Sequence, residues 1–495
     1  MQTGVGNGLI VVPPPGTSLR FPEDQPMLAD LTPSSGVPSD PDSGPWYRGL
    51  TRYHWFVLVV ASLGWLFDTM DQQLFNLARK PAITQLLGVS PGDPKAAGII
   101  AEYAGYATSI FIIGWAIGGL IFGILGDRIG RAKTMLLTIL LYSIFTGLSA
   151  LSVGVWDFAF YRFLTGLGVG GEFAVGVSLV AEVMPDRARP FALGWLQALS
   201  AVGNMVAALI SIALGQLEKS GAIASSWRAM FVIGVLPALL SLFIFRQLKE
   251  PERWTKIAGD ELKPRLGSVS ELFGDPRWRH NAIVGMLLAF SGVVGLWGIG
   301  FFSFDLIRSV FEPGFKAQAT AHGLTGGALK TFVDGELTYW SGITSLLQNL
   351  GAFFGIYAFS RITHYTGRRP AFAISFVLAM ASTAFTFWFL DDPTDIYWMI
   401  PIMGFCQLAL FGGYAIYFPE LFPTRLRSTG TSFCYNVGRL VAAAGPSALG
   451  LLTKDVFKGY PEPMRYAGVT MCAVFLIGLI ALPFAPETKG QPLPE

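Results

Sequence analysis

The sequence predicts an all-α integral membrane protein with twelve transmembrane helices in two pseudo-symmetric six-helix bundles. Three observations carry this. Hydrophobic residues make up 52% of the 495 residues and charged residues only 14%, with a mean hydropathy of +0.50. A soluble globule of that composition lacks the polar surface to cover itself. Apolar stretches long enough to cross roughly 30 Å of hydrocarbon, at about 1.5 Å per residue, follow one another along the chain. Two motifs also recur at nearly one offset. GILGDRIGRAK (Gly123 to Lys133) returns in degraded form as SRITHYTGRRP (Ser360 to Pro370), and EVMPDRAR (Glu182 to Arg189) returns as ELFPTRLR (Glu420 to Arg427). The step from Gly130 to Gly367 nearly equals the step from Glu182 to Glu420, so one bundle was built twice.

The elements follow in order. Residues 1–50 are rich in Pro, Gly, Ser and Asp, cannot bury a core, and read as a disordered cytoplasmic tail without a signal peptide. The N-terminal bundle occupies 51–247, with spans near 55–78, 103–125, 134–153, 157–181, 190–216 and 227–247. Residues 248–280 are polar enough to leave the membrane as a cytoplasmic central loop with one or two short surface helices. The C-terminal bundle occupies 281–485, with spans near 281–309, 339–359, 371–390, 397–418, 428–452 and 465–484, and residues 312–335 read as a long outer loop. Residues 486–495 form a cytoplasmic C-terminal tail. Arg128, Arg131, Lys133, Arg187, Arg189, Arg361, Arg368, Arg369, Arg425 and Arg427 all fall in loops on one side, and the loops of the other side are poorer in Lys and Arg. This positive-inside pattern places both termini in the cytoplasm of a multi-pass protein of the plasma or inner membrane.

Composition and motifs also exclude functions. A net charge of +2, with the basic residues spread between apolar runs, offers nucleic acid no patch. Cys406, Cys434 and Cys472 each lie within an apolar run and read as packing residues without disulfide or metal-ligand spacing. No nucleotide-binding loop, nucleophile elbow or metalloprotease motif occurs, so no enzyme activity, metal or cofactor is expected, and energy should come from an ion gradient. A monomer in the lipid bilayer is the default. A nutrient sensor built on the same architecture is disfavoured by tails that offer no partner motif.

Chemistry inside a membrane rests on ionisable groups within the spans, which are costly there and mark a pathway. WLFDTMDQQLF in the first span places Asp68 and Asp71 three residues apart on one helix face. Counting about 1.5 Å per residue, Asp68 lies roughly 20 Å from the inner end and Arg162 of the fourth span roughly 8 Å from the outer end, so the aspartates and the arginine share a level. A carboxylate beside an arginine stays ionised and one that loses its partner takes up a proton, which is a way to couple protons to transport; a permanent structural pair is the alternative. Glu172 in GVGGEFAVG is a second proton site or a glutamate hydrogen-bonded to a neighbouring helix. Arg439 in CYNVGRLVAAAGP lies roughly 17 Å into its span and needs an anion, either an aspartate or glutamate of the first half or the substrate itself. Asn436, Gln197, Asn204, Gln348, Asn349 and Gln407 complete a candidate polar lining, with Trp297, Tyr414, Tyr417 and Tyr435 as candidate aromatic walls. Gly123, Asp127, Arg128, Gly130, Arg131, Glu182, Arg187, Arg189, Arg368, Glu420, Arg425 and Arg427 lie where helices meet the cytoplasm, and ion pairs among them form a candidate gate. His364 stands where Asp127 maps in the second copy, a departure from the first.

GILGDRIGRAK resembles the loop signature of the major facilitator superfamily, and the repeated Glu-x6-Arg with EPERW (250–254) and PETKG (486–490) is similar to its sugar-porter-like branch. The first-span D-x-x-D, RFLTGLGVGGEF and the membrane arginine of span eleven resemble the proton-coupled organic anion symporters, particularly the aromatic-acid and sialate or lactate groups. That resemblance implies proton coupling through Asp68 and Asp71, and carboxylate binding or coupling through Arg162 and Arg439. Thr69 and Met70 between the aspartates depart from the usual aromatic-acid form, where a glycine is common. The expectation is a secondary transporter moving a small organic anion with a proton by alternating access. The alternative is a sugar or polyol porter, which the loop motifs and QALSAVGN of span five allow but which the seventh span, lacking paired glutamines, does not favour.

Overall fold

A computed structural model describes residues 45–89, 94–219, 221–239, 241, 247–259, 265–299, 303–442 and 451–495. Among these residues every regular element is helical. The first half contains α1 (Arg52–Leu87), α2 (Pro94–Ile129), α3 (Arg131–Ser149), α4 (Val155–Val183), α5 (Arg189–Lys219) and α6 (Ser226–Ile233). Two short helices follow in the central loop, α7 (Glu252–Gly259) and α8 (Val269–Gly274). The second half contains α9 (Pro276–Val293), continued by a π-helical turn at Val294–Ile299, then α10 (Ser303–Ala321), α11 (Gly326–Thr366), α12 (Arg368–Phe389), α13 (Ile396–Leu421), α14 (Arg427–Ala442), α15 (Pro463–Met471) and α16 (Val474–Ala481). Helix lies within each of the twelve predicted spans, and among the described residues nine helices are long and apolar enough to cross a membrane.

The duplication read from the loops extends through the packing. A Cβ on Gly114 or Gly118 of α2 would overlap the backbone of α4 at Phe163 or Leu167, and one on Gly166 would strike the backbone of α2. Their mates at the repeat offset, Gly351 and Gly355 of α11 and Gly404 of α13, meet the backbones of Pro401, Phe405 and Gln348 in the same way. Helices in lipid gain nothing from hydrophobic contrast with their surroundings, so close backbone approach at small residues is what holds them together. Both halves use it at equivalent places.

Helix ends are duplicated too. At one end of the bundles Asp157 accepts from the N–H groups of Val153 and Gly154 (both 2.8 Å), and Asp395 from those of Asp391 and Asp392 (3.2 and 3.0 Å). Arg228 donates to the carbonyls of Ala150 and Ser152 at the end of α3, and Arg465 to those of Phe387, Trp388 and Leu390 at the end of α12. At the other end, that of the loop motifs, Gly130 and Gly367 take φ of 112° and 99°, a region a Cβ disfavours, as the chain turns into α3 and α12. Each new helix is then capped by a distant glutamate. Glu250 accepts from the N–H groups of Ala132 and Lys133, and Glu487 from those of Arg368 and Arg369, which satisfies amides that a helix N-terminus leaves open.

Two segments read as lying outside the helical bundles are placed differently. The stretch 312–335, read as an outer loop, is helical: α10 runs to Ala321 and α11 begins at Gly326, with only a tight turn between. An apolar seam explains this, because Ile307, Phe311, Phe315, Ala319, Val333 and Leu337 are buried against Ile396, Met399, Ile400 and Met403 of α13. The predicted N-terminal tail lies outside the described residues as far as position 44, but its last residues pack on the protein, with Trp46 stacked on Phe191 at 5.9 Å. An indole against a bundle end buries enough surface to hold the chain there.

Candidate functional site

The two halves meet along two helix pairs. On one side α14 lies on α2, where Gly119, Gly123 and Gly126 leave room for Asn436, Ser432 and Ser428. Asn436 Nδ2 donates to the Ser432 hydroxyl (3.0 Å) and the Gly170 carbonyl (3.5 Å), so this residue serves the seam between halves and leaves its Oδ1 without a bond. On the other side α5 lies on α11, where Ser360 fills the space a Cβ on Gly194 would need and Asn204 Nδ2 donates to Asn349 Oδ1 at 3.0 Å.

At the first of these seams, and reaching from it into the first half, lies a buried polar cluster. The guanidinium of Arg439 stands over the rings of Trp115 (3.7 Å) and Tyr435 (4.5 Å), and its Nε and Nη1 have no hydrogen-bond partner. Tyr435 is in turn stacked on Phe173 at 4.1 Å, which packs on Trp65. Asp68 lies within electrostatic reach of Arg439, Glu172 and Asp71. Its Oδ2 accepts from Gln72 Nε2 at 3.1 Å and its Oδ1 accepts nothing. Glu172 accepts from the Thr138 hydroxyl at 2.7 Å, and its other oxygen lies against Gly64 of α1, where a Cβ would collide with it. Buried polar atoms are normally paired, so unbonded oxygens and nitrogens gathered in one region mark it as a candidate binding site.

Asp71 and Arg162 are differently placed. They face one another at 3.7 Å inside the first half. Asp71 accepts from the Thr146 hydroxyl (2.7 Å), while Arg162 donates to Ser149, Thr146 and Thr165 and lies over Phe231 at 4.7 Å. The two aspartates read as one face therefore have separate surroundings. Gln197 is buried on α5 with Oε1 unbonded, and Gln348 is buried on α11. Gln407 is turned into the second half, where its Nε2 donates to the Thr383 hydroxyl at 2.6 Å.

Of the candidate gate residues, Asp127, Arg131, Glu182 and Arg427 come together as one network across the halves. Glu182 Oε1 accepts from Arg131 Nη2 of its own half (2.9 Å) and from Arg427 Nη1 of the other (2.7 Å). Arg131 also pairs with Asp127 (3.1 Å) and donates to the Thr424 carbonyl (2.6 Å). Asp127 accepts from the N–H groups of Ser428 and Thr429 at the start of α14 and from the Thr429 hydroxyl. Arg128 donates to the Leu266 carbonyl and Arg425 pairs with Glu271 at 2.8 Å, which ties the central loop to the network. The second copy is only partly equivalent. Arg368 pairs with Glu420 at 2.6 Å within its own half, whereas Arg189 donates to Ala181 and Asp186 and makes no ion pair with Glu420. Arg187 lies half-buried at the same surface. On the side of the loop motifs the halves are thus bridged by charge, and the bridging is asymmetric.

Trp115, Thr138 and Gly64 were not legible as site residues, since aromatic, hydroxyl and small residues occur throughout the spans. Glu250 and Glu487 had a usable signal, because they too are separated by the repeat offset.

The family model described as Major Facilitator Superfamily matches residues 61–446, which includes both copies of the loop motif and Arg439. The chain belongs to this superfamily. Among curated members, it is 29% identical to the cis,cis-muconate transport protein of Acinetobacter baylyi over 79% of this chain and 86% of that protein. It is 27% identical to the sialic acid transporter NanX of Escherichia coli over 81% and 88%. The solved structure of the proton:xylose symporter XylE superposes with a TM-score of 0.69 at 18% identity, covering 89% of this chain and 98% of that one, and shares the superfamily fold. As a superfamily member the chain is a multi-pass membrane transporter and not an enzyme.

Proposed function

We propose that this protein moves a small organic anion, a monocarboxylate-like acid, across the membrane by alternating access coupled to a proton. The observation that carries the reading is Arg439: a buried cation between two aromatic rings at the meeting of the halves, with two donors unbonded and one carboxylate, Asp68, in reach. A buried guanidinium with free N–H groups is a receptor for a carboxylate. Muconate and sialic acid, named for the two relatives, share that group.

The cycle follows from competition for one cation. Without substrate, Arg439 supports the charge on Asp68. When a substrate carboxylate takes the guanidinium, Asp68 loses that support in a dry site and takes up a proton, so substrate and proton occupy the site together. Glu172, one helix away and half-bonded, receives or delivers that proton. Arg162 holds Asp71 within the first half and shapes the level at which Asp68 stands. The Glu182 network keeps the inner side shut while the site loads from the other side. With the Lys and Arg excess on the network side, both termini face the cytoplasm.

Proteoliposomes with an imposed proton gradient test this with a panel of monocarboxylates, sialic acid, aromatic acids and hexoses. Gradient-driven carboxylate uptake is expected. Asp68→Asn should keep exchange and lose gradient-driven accumulation, and Arg439→Ala should lose uptake by at least tenfold. Equal hexose entry without a gradient, unchanged by both substitutions, would overturn the reading in favour of a sugar or polyol porter.

A further inference from the structure

The two copies of the loop motif treat the helix facing them in opposite ways. Asp127 lays both carboxylate oxygens on the start of α14. Its counterpart in the second copy is His364, and the residue that His364 meets, Phe191, is the first-half equivalent of Thr429, the principal partner of Asp127. The two rings pack at 5.0 Å, and among the described residues no carboxylate is hydrogen-bonded to His364. Among the described residues the charges that act most strongly on the His364 ring are Lys489, Arg368, Arg187 and Arg361, all cations. The two acids close by are engaged elsewhere: Glu420 by Arg368 and Thr488, and Glu487 by the backbone of α12. Arg361 is exposed, with its guanidinium 5.6 Å over the Phe191 ring, and the Lys489 ammonium is held beside it on the Tyr365 carbonyl at 2.7 Å. Around them stand exposed Tyr365, Tyr47 and Trp55, with Trp46 on the other face of this seam. Lys and Arg set among Trp and Tyr at the ends of membrane helices is the composition of the headgroup zone.

We propose that this surface, formed by Arg361, Arg187, His364 and Lys489, binds the phosphate of an anionic phospholipid headgroup. The lipid supplies to the α5–α11 seam the negative charge that Asp127 supplies to the α2–α14 seam, and so completes the closed inner side. The proposal is independent of which anion is carried.

The test uses the purified full chain in bilayers of phosphatidylcholine alone or with phosphatidylglycerol, read by thermal unfolding and by lipids retained in native mass spectrometry. Phosphatidylglycerol should raise the unfolding temperature by about 2–4 °C and remain bound. Arg361→Gln combined with Arg187→Gln should abolish both effects. His364→Asp, which restores the acid of the first copy, should reach the raised temperature in phosphatidylcholine alone and no longer respond to phosphatidylglycerol. Inorganic phosphate in phosphatidylcholine should produce no shift. Equal stability in the two bilayers, a full response in the double variant, or a shift with phosphate alone would each overturn the proposal.

Discussion

Glu487 shows how one side chain can hold a helix end at the inner surface. Burial raises its carboxyl, but donation from the N–H groups of Arg368, Arg369 and Lys489, with the Arg368 charge, outweighs this and holds it below its ordinary value of 4.5. A carboxyl depressed by folding contributes stability that is complete above the unfolded value and fades as pH falls through the folded one. The wild type should therefore lose thermal stability relative to Glu487→Gln as pH drops below about 4.5, and the two should run parallel from pH 6 to 8. A constant difference across the whole range would mean that the charge does nothing. Gly130 makes a related case. Its φ of 112° and the Glu250 carboxylate lying where a Cβ would go mean that Gly130→Ala should cost about 1–3 kcal/mol, measurable by thermal unfolding, with Gly367→Ala similar.

Pairs of helices depend on what is missing between them. Gly170 of α4 leaves its Cβ site to the Trp115 carbonyl of α2, and Trp115 is the ring under Arg439. Gly170→Ala must push α4 from α2, at a cost of about 1–3 kcal/mol, and move that ring. Loss of substrate affinity greater than the loss of thermal stability is expected, and a ligand titration beside an unfolding curve separates the two. Much of this scale was legible in the sequence. Apolar runs located the helices, because a bilayer forces each run to satisfy its own backbone, but not all their ends: α1 reaches Leu87, α2 starts at Pro94 and α11 starts at Gly326, each well beyond the apolar run. The stretch 312–335 was misread because polar residues such as Glu312, Lys316 and Glu336 mask an amphipathic seam whose partner on α13 lies far along the chain. At the site, Asp68, Glu172 and Arg439 stood out as charges in apolar segments. The separation of Asp71 from Asp68 depends on Thr146 and Ser149 of another helix, and the turning of Gln407 on Thr383, which no local pattern announces.

Across the whole molecule, Glu182 is where the halves are joined by charge. Arg131 and Arg427 share one of its oxygens, and all three side chains are fully buried. Removing one member of such a cluster leaves the others uncompensated, so Glu182→Gln should destabilise the closed inner side by about 3–5 kcal/mol. Greater labelling of cysteines introduced beside the network from the inner side is the expected result. Arg189→Ala, in the copy that makes no bridge across the halves, should change labelling far less. Equal effects would show that the asymmetry has no energetic weight.

The helix α11 carries 41 residues. At about 1.5 Å each it is roughly 60 Å long, about twice the thickness of the hydrocarbon it crosses. One end of this rod is clamped at Gly367 and Glu487, and the seam with α5 grips it along the way, but its other end reaches well past the membrane with α10 alongside. A rod held near one end is a lever. Any tilt of the second half against the first is magnified at the far tip in proportion to distance from the grip, so a probe at exposed Ala328 would report the rocking of the transporter as a larger displacement than the buried charges do.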